Sequence, residues 1–196
     1  FVGWGDKLAS EGPAAFYSAD YFADYPPGYI LVLGLVSLVR KALQLSYESR
    51  WTYFLLALIP TICDCAAVVL LDHISRRYMG QGRAQRCLVL FAAFCPLTLF
   101  DTGIWKQIDG AFALPLLLCF WLLEERRYLL AAVLYGVALA IKPQALLAGP
   151  VLAICFLVAI ADDVRDGKSP LKSVGQIFGG AALALLPPLL AGLPFY

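Results

Sequence analysis

The sequence predicts an all-α protein, a polytopic transmembrane helical bundle of about seven to eight membrane segments, and three observations carry that reading. The 196 residues are 61% hydrophobic and only 15% charged, where a soluble domain is about a quarter charged; mean hydropathy is +0.77. The apolar residues gather into blocks approaching the roughly 20 residues that cross a hydrocarbon core. Lys and Arg collect in the short gaps between blocks, as cations do where they orient a chain in a membrane.

The elements follow in order. Residues 1–28 alternate polar and aromatic side chains. Trp4, Leu8, Phe16 and Tyr17 suit one side of short interfacial helices interrupted at Gly12-Pro13, so this stretch is expected to be an extracytoplasmic loop on the membrane surface. Residues 29–196 are the expected transmembrane helical domain, with apolar spans predicted at 29–45, 51–71, 87–104, 111–123, 128–141, 145–160 and 174–193. The chain opens on Phe1, and Met79 is its single methionine. No charged n-region and apolar h-region precede the first polar stretch. The sequence is therefore expected to be a fragment lacking an upstream helix and incomplete at its far end.

Orientation follows from the basic gaps. Placing Arg76, Arg77, Arg83 and Arg86, then Arg126-Arg127, then the cations of 165–172 in the cytoplasm puts 105–109 and 142–144 together on the outside. If Arg40-Lys41 is also inside, residues 51–78 must leave the cytoplasm and return. Pro60 offers a break: a short helix rising to Ile59 and a second descending from Thr61. A single kinked span with a different start fits the same residues. On the broken reading Asp64 stands near the outer face, close to Asp24 and Asp109.

Composition also excludes. A net charge of +1, with no basic face interleaved with aromatics, gives no reason to expect a nucleic-acid partner. Cys63, Cys65, Cys87, Cys95, Cys119 and Cys155 lie within or beside apolar segments as small apolar side chains, so neither a disulfide framework nor a zinc site is expected. No phosphate-cradling glycine loop and no HExxH pattern is present. His73 and Arg76-Arg77 read as boundary residues, and Asp162-Asp163 as a solvated loop.

Three polar islands are not explained by membrane burial, where a charge costs a few kcal/mol and usually serves a cavity or a partner. Asp64, within IPTICDCAAVV, either pairs with a cation such as Lys106 or Lys142 or lines a site. In Trp105-Lys106-Gln107-Ile108-Asp109, Asp109 suits an N-cap and Trp105 an interfacial ring. The crowding of ammonium, amide and carboxylate in one turn suits a polyhydroxylated or phosphorylated ligand. Lys142-Pro143-Gln144 is either a turn with a snorkelling lysine or a phosphate-binding group.

The stretches DYPPGY (24–29), IPTICDCAAVVLL, WKQID and IKPQALLAGPVL, in this order, resemble the bacterial membrane proteins related to the second mannosyltransferase of GPI-anchor synthesis. That group belongs to the GT-C class of polytopic glycosyltransferases, whose forms here are close to DYPPGY, LPAxxxD, NPxxxxxSxxWGQxDS and KPQ. The resemblance implies an inverting enzyme of the cell membrane, multi-pass, with its active site on the extracytoplasmic face. It would take a sugar, mannose, from a polyprenyl-phosphate donor to a glycan, lipid or protein acceptor. It implies Asp24 and Asp109 as supporting catalytic carboxylates, with the principal base upstream of Phe1. Tyr25, Asp64, Trp105, Lys106, Gln107, Lys142 and Gln144 would be substrate-binding residues. No nucleotide or redox cofactor is implied; some GT-C enzymes use a divalent metal and others do not. The chain departs from the pattern at Lys106 for the usual Gly, Gly110 for Ser and Cys95-Pro96 for Asn-Pro, and the fragment alone is expected to be inactive. A flippase or transporter of lipid-linked sugars, or a non-catalytic membrane scaffold, would also carry intramembrane carboxylates and broken helices.

Overall fold

The computed structural model describes residues 1–167 and 169–196, so Lys168, one cation of the last basic gap, lies outside the described residues. Among the described residues all regular structure is helical. The α-helices are α1 (Val2–Glu11), α2 (Pro27–Ala42), α3 (Arg50–Met79), α4 (Arg83–Ala93), α5 (Pro96–Phe100), α6 (Asp109–Glu124), α7 (Tyr128–Ile141), α8 (Gly149–Arg165) and α9 (Pro170–Gly192). A π-helical turn covers Asp101–Trp105, and 3₁₀ turns cover Pro143–Ala148 and Leu193–Phe195. Four helical stretches are long and apolar enough to cross a membrane: Arg50–Met79, Arg83–Trp105, Pro143–Arg165 and Val174–Phe195. The 16 residues of α2 and α6 and the 14 of α7 are shorter; at about 1.5 Å per residue they reach some 21–24 Å, less than the ~30 Å hydrocarbon core. Large apolar side chains such as Phe91, Leu97, Leu147 and Phe178 point outward, as lipid-facing surfaces require. The fold is that of an all-α membrane protein.

The chain forms two compact units, residues 1–10 with 32–114 and residues 11–31 with 115–196. In the first, α1 lies on α2, with Leu8 over Gly34 and Gly5 against the Leu33 carbonyl and the Ser37 hydroxyl. Arg40 ties them: its Nη2 donates to both Asp6 carboxylate oxygens at 2.7 and 2.8 Å, and its Nη1 to the Leu45 carbonyl at 2.8 Å. The Ser49 side chain caps α3 by accepting from the Trp51 amide at 3.3 Å, and Gly80, at φ +66°, closes its far end. The α3–α4 hairpin is clasped by buried Gln85, which donates to Asp72 Oδ1 at 2.7 Å and Ser75 Oγ at 3.1 Å.

Of the two readings left open at Pro60, the structure has the single span: α3 is one helix of 30 residues with Pro60 buried inside it. The energetics favour continuity. A proline within a helix costs about 3 kcal/mol, whereas two new helix ends would leave up to about eight backbone groups unsatisfied in apolar surroundings, at several kcal/mol each. Two corrections follow. Asp64 falls mid-helix rather than beside a break, and Arg76-Arg77 stand in the last turn of α3 while Arg40-Lys41 end α2, before α3 begins.

In the second unit α7 packs closely on α9, where Gly136 lies against the Ala184 carbonyl and a Cβ there would stand 2.8 Å from Pro187 Cδ. The core joins Cys119, Leu122, Leu123, Tyr128, Ala131 and Leu152. Asp163 corrects the expectation of a solvated loop: it is 2% exposed and paired with Arg126, tying the α6–α7 turn to α8. Within residues 12–26, Phe16 is buried between the rings of Tyr17, Tyr21 and Phe195, and the Tyr17 hydroxyl donates to the Tyr25 carbonyl at 2.7 Å.

One contact in this unit joins two of the motifs. Gly28, in the first turn of α2, faces the backbone of Ala140 near the end of α7; a Cβ there would overlap the Ala140 carbonyl oxygen and stand 2.8 Å from its carbon. Backbone cannot yield as a side chain does. Gly28→Ala is therefore expected to destabilise the protein by about 1–3 kcal/mol, read as a lower midpoint of thermal unfolding in detergent. An unchanged midpoint would show that the two backbones are not in contact.

Candidate active site

The first unit gathers a cluster of chemistry-bearing side chains at residues 96–110 and α3. After Pro96 starts α5, the helix widens into a π-turn over Asp101–Trp105, closed by the Gln107 amide donating to the Asp101 carbonyl at 3.0 Å. Wide turns of this kind are frequent at functional sites because they re-aim side chains that a regular helix would spread around its surface. Here Thr102 is brought onto α3: its Oγ1 donates to Asp64 Oδ2 at 2.6 Å. Asp109 opens α6, and Gly110 beside it faces α3 so closely that a Cβ would overlap the Asp64 carboxylate and lie 2.8 Å from the Pro60 carbonyl oxygen. The result is a cavity of about 380 Å³ whose wall includes Asp64, Asp101, Asp109, Thr98, Thr102 and Trp105. Three carboxylates with hydroxyl donors among them suit a ligand rich in hydroxyl groups, each of which can donate to an acid and accept from a threonine.

Of the residues named from the sequence, Asp64, Trp105 and Asp109 share this cavity. The alternative that Asp64 pairs with Lys106 is corrected: Asp64 takes the Thr102 hydroxyl, and Lys106 Nζ donates to the Gly103 carbonyl. Lys106 instead lines a second cavity of about 800 Å³ with Arg50, Tyr47, Tyr53 and Trp105. The exposed indole of Trp105 thus borders a carboxylate cavity on one side and a cationic, aromatic cavity on the other. Arg50 and Thr102 are contributors that sequence reasoning passed over, while Asp101 stood out there only as the acid preceding the cluster at 105–109. As part of a regular helix, Thr102 would bond its own backbone, and the signal for a π-turn lies only in the packing of residues 101–105 against α3.

Lys106 has φ +61° and ψ +31°, the left-handed region. The resembling family carries glycine at this position, and the backbone gives the reason: an L side chain there costs about 1–2 kcal/mol. Lys106→Gly is expected to be more stable than Lys106→Ala by about 1 kcal/mol, because both lose the ammonium while glycine alone relieves the conformation. Equal denaturation midpoints for the two variants would contradict the assigned turn.

The second unit holds the remaining residues. Asp24 is exposed in the loop before α2, and Tyr25 stacks at 5.7 Å on buried Tyr29. Burial pushes the Tyr17 phenol, which donates to the Tyr25 carbonyl, up to about 12, so it stays a donor at neutral pH. Lys142 ends α7 in extended backbone, and Gln144 is exposed on the turn that follows. The Gly28–Ala140 contact brings DYPPGY and KPQ to one place in this unit. Among the described residues no grouping of His, Cys, Asp and Glu is arranged to hold a metal ion.

The chain thus combines helices long and apolar enough to cross a membrane with, in its first unit, a cavity walled by carboxylates, hydroxyls and an indole. The sequence profile of glycosyltransferase family 87 matches residues 22–195, and the chain belongs to that family. It is a membrane glycosyltransferase. No curated protein and no solved structure matches the chain.

Proposed function

We propose that this glycosyltransferase moves a sugar, mannose, from a polyprenyl-phosphate donor to an acceptor hydroxyl on the extracytoplasmic face, with inversion. The observation that carries the reading is the meeting of Asp64, Asp101 and Asp109 in one cavity, with a cationic cavity on the far side of Trp105. Lys106 and Arg50 take the phosphate, as cations do for phosphoryl oxygens, and Trp105, which lines both cavities, packs alongside the sugar that joins phosphate to acceptor. The acceptor oxygen attacks the anomeric carbon on the face opposite the phosphate. The carbon–oxygen bond to phosphate breaks, its electron pair leaves on the lipid phosphate, and the acceptor proton passes to a carboxylate. Asp109 and Asp64 support the positive charge that develops on the sugar ring, the kind of fixed electrostatic stabilisation that contributes most in a water-poor pocket.

The topology supports this side of the membrane. With the basic α3–α4 turn in the cytoplasm, α3 crosses once and Arg83–Trp105 returns, so the π-turn and the start of α6 face outward. The α1–α2 pair then lies on the outer side, its Arg40 neutralised by Asp6.

Full-length protein given radiolabelled polyprenyl-phosphate mannose and candidate acceptors is expected to form a labelled glycoside and release polyprenyl phosphate. Movement of the donor across vesicles with no new glycosidic bond would favour a transporter instead.

A further inference from the structure

The turn between α3 and α4 has a site of its own. Four arginines, Arg76, Arg77, Arg83 and Arg86, occur where two membrane-length helices meet. A cavity of about 330 Å³ opens there, lined by Asp72, Arg76, Gln81, Gln85 and Arg86. Its floor is built rather than incidental: Gln85 and Ser75 are 3% and 4% exposed, and Gln85 donates to both Asp72 and Ser75. Buried amides and hydroxyls are held this way only when their partners are in place. Asp72, the acid of the lining, is already saturated, with Arg76 Nε at 3.0 Å and Nη2 at 2.8 Å beside the Gln85 amide. Of the two lining arginines one is thus neutralised, and the exposed Arg86 guanidinium has no protein partner among the described residues. Val89 and Leu90 complete the wall, so the cavity passes from cation and amide to apolar surface.

The geometry points to a site for the headgroup of an anionic phospholipid. The phosphate meets Arg86 and the Gln81 amide, and the acyl chains run along Val89 and Leu90 of α4. A free anion would use the cationic end alone. A lipid uses both ends, and basic pockets at the ends of membrane helices attract such headgroups. This site lies apart from the carboxylate cavity, and the inference does not rest on the glycosyl-transfer reading.

Native mass spectrometry of the full-length protein in detergent, titrated with phosphatidylglycerol and separately with phosphatidylcholine, tests it. Wild type is expected to retain phosphatidylglycerol over phosphatidylcholine. Arg86→Gln should weaken phosphatidylglycerol retention roughly fivefold, while Arg86→Lys keeps most of it. Arg165→Gln, which removes a boundary cation elsewhere, should leave it unchanged. Equal retention of the two lipids, equal losses in Arg86→Gln and Arg165→Gln, or release of phosphatidylglycerol by millimolar inorganic phosphate would each overturn the assignment. Because Arg86 is exposed and outside the Asp72–Ser75–Gln85 network, an unchanged unfolding midpoint in Arg86→Gln separates lost binding from lost folding.

Discussion

Asp109→Asn in the full-length enzyme is expected to lower the rate of sugar transfer by roughly a hundredfold or more, with little change in stability. The substitution keeps shape and hydrogen-bonding capacity at the start of α6 and removes only the charge. Losing one preorganised electrostatic partner of a transition state costs about 10²–10³ in turnover. Asp64→Asn is expected to act similarly, because its carboxylate lines the same cavity and accepts from Thr102. Groups that act on one charge are not additive, so the double variant should lose much less than the product of the two single losses. Turnover unchanged in both single variants would remove these carboxylates from the mechanism, and strictly multiplicative losses would separate them into independent sites.

Gly110→Val is the second large effect, and here stability and activity fall together. A Cβ at Gly110 collides with the Asp64 carboxylate and presses on the Pro60 carbonyl. The carboxylate can swing away; the backbone of α3 cannot. Overpacking of this kind costs about 1–3 kcal/mol, and the swing would break the Thr102–Asp64 hydrogen bond. Gly110→Ser is the sharper comparison, since the resembling family has serine here: its hydroxyl can reach a displaced Asp64, so it should recover activity relative to Gly110→Ala. If Gly110→Val unfolds at the wild-type midpoint and turns over normally, the close approach of α6 to α3 is wrong.

Much of the fold was legible in the residues. The apolar spans read from hydropathy coincide with the helices to within a few residues for α6 and α7, and Lys142-Pro143 marks where α7 stops. The grouping of Trp105 and Asp109 was legible as well, because residues so close in sequence stay close in space. The sequence left Pro60 open between a break and one continuous span, and it misread Asp163, which was interpreted from its own type while its environment was set by a partner distant in sequence. Pro60 stays helical because a break would strand backbone groups in apolar surroundings, and Asp163 is buried because Arg126 meets it there.

By itself the sequence determined an all-α chain of membrane type, since composition and block length depend on no long-range contact. It also determined which polar residues stand out, because burial of charge in lipid is costly wherever it occurs. Only the tertiary structure decided that Asp64 meets Thr102 and Gly110, that Arg40 belongs to Asp6, and that Lys106 takes a left-handed turn facing a different cavity from Asp109. Those outcomes depend on how α3 packs against the π-turn and the start of α6, and helix-to-helix packing is set by side-chain shapes that no local pattern encodes.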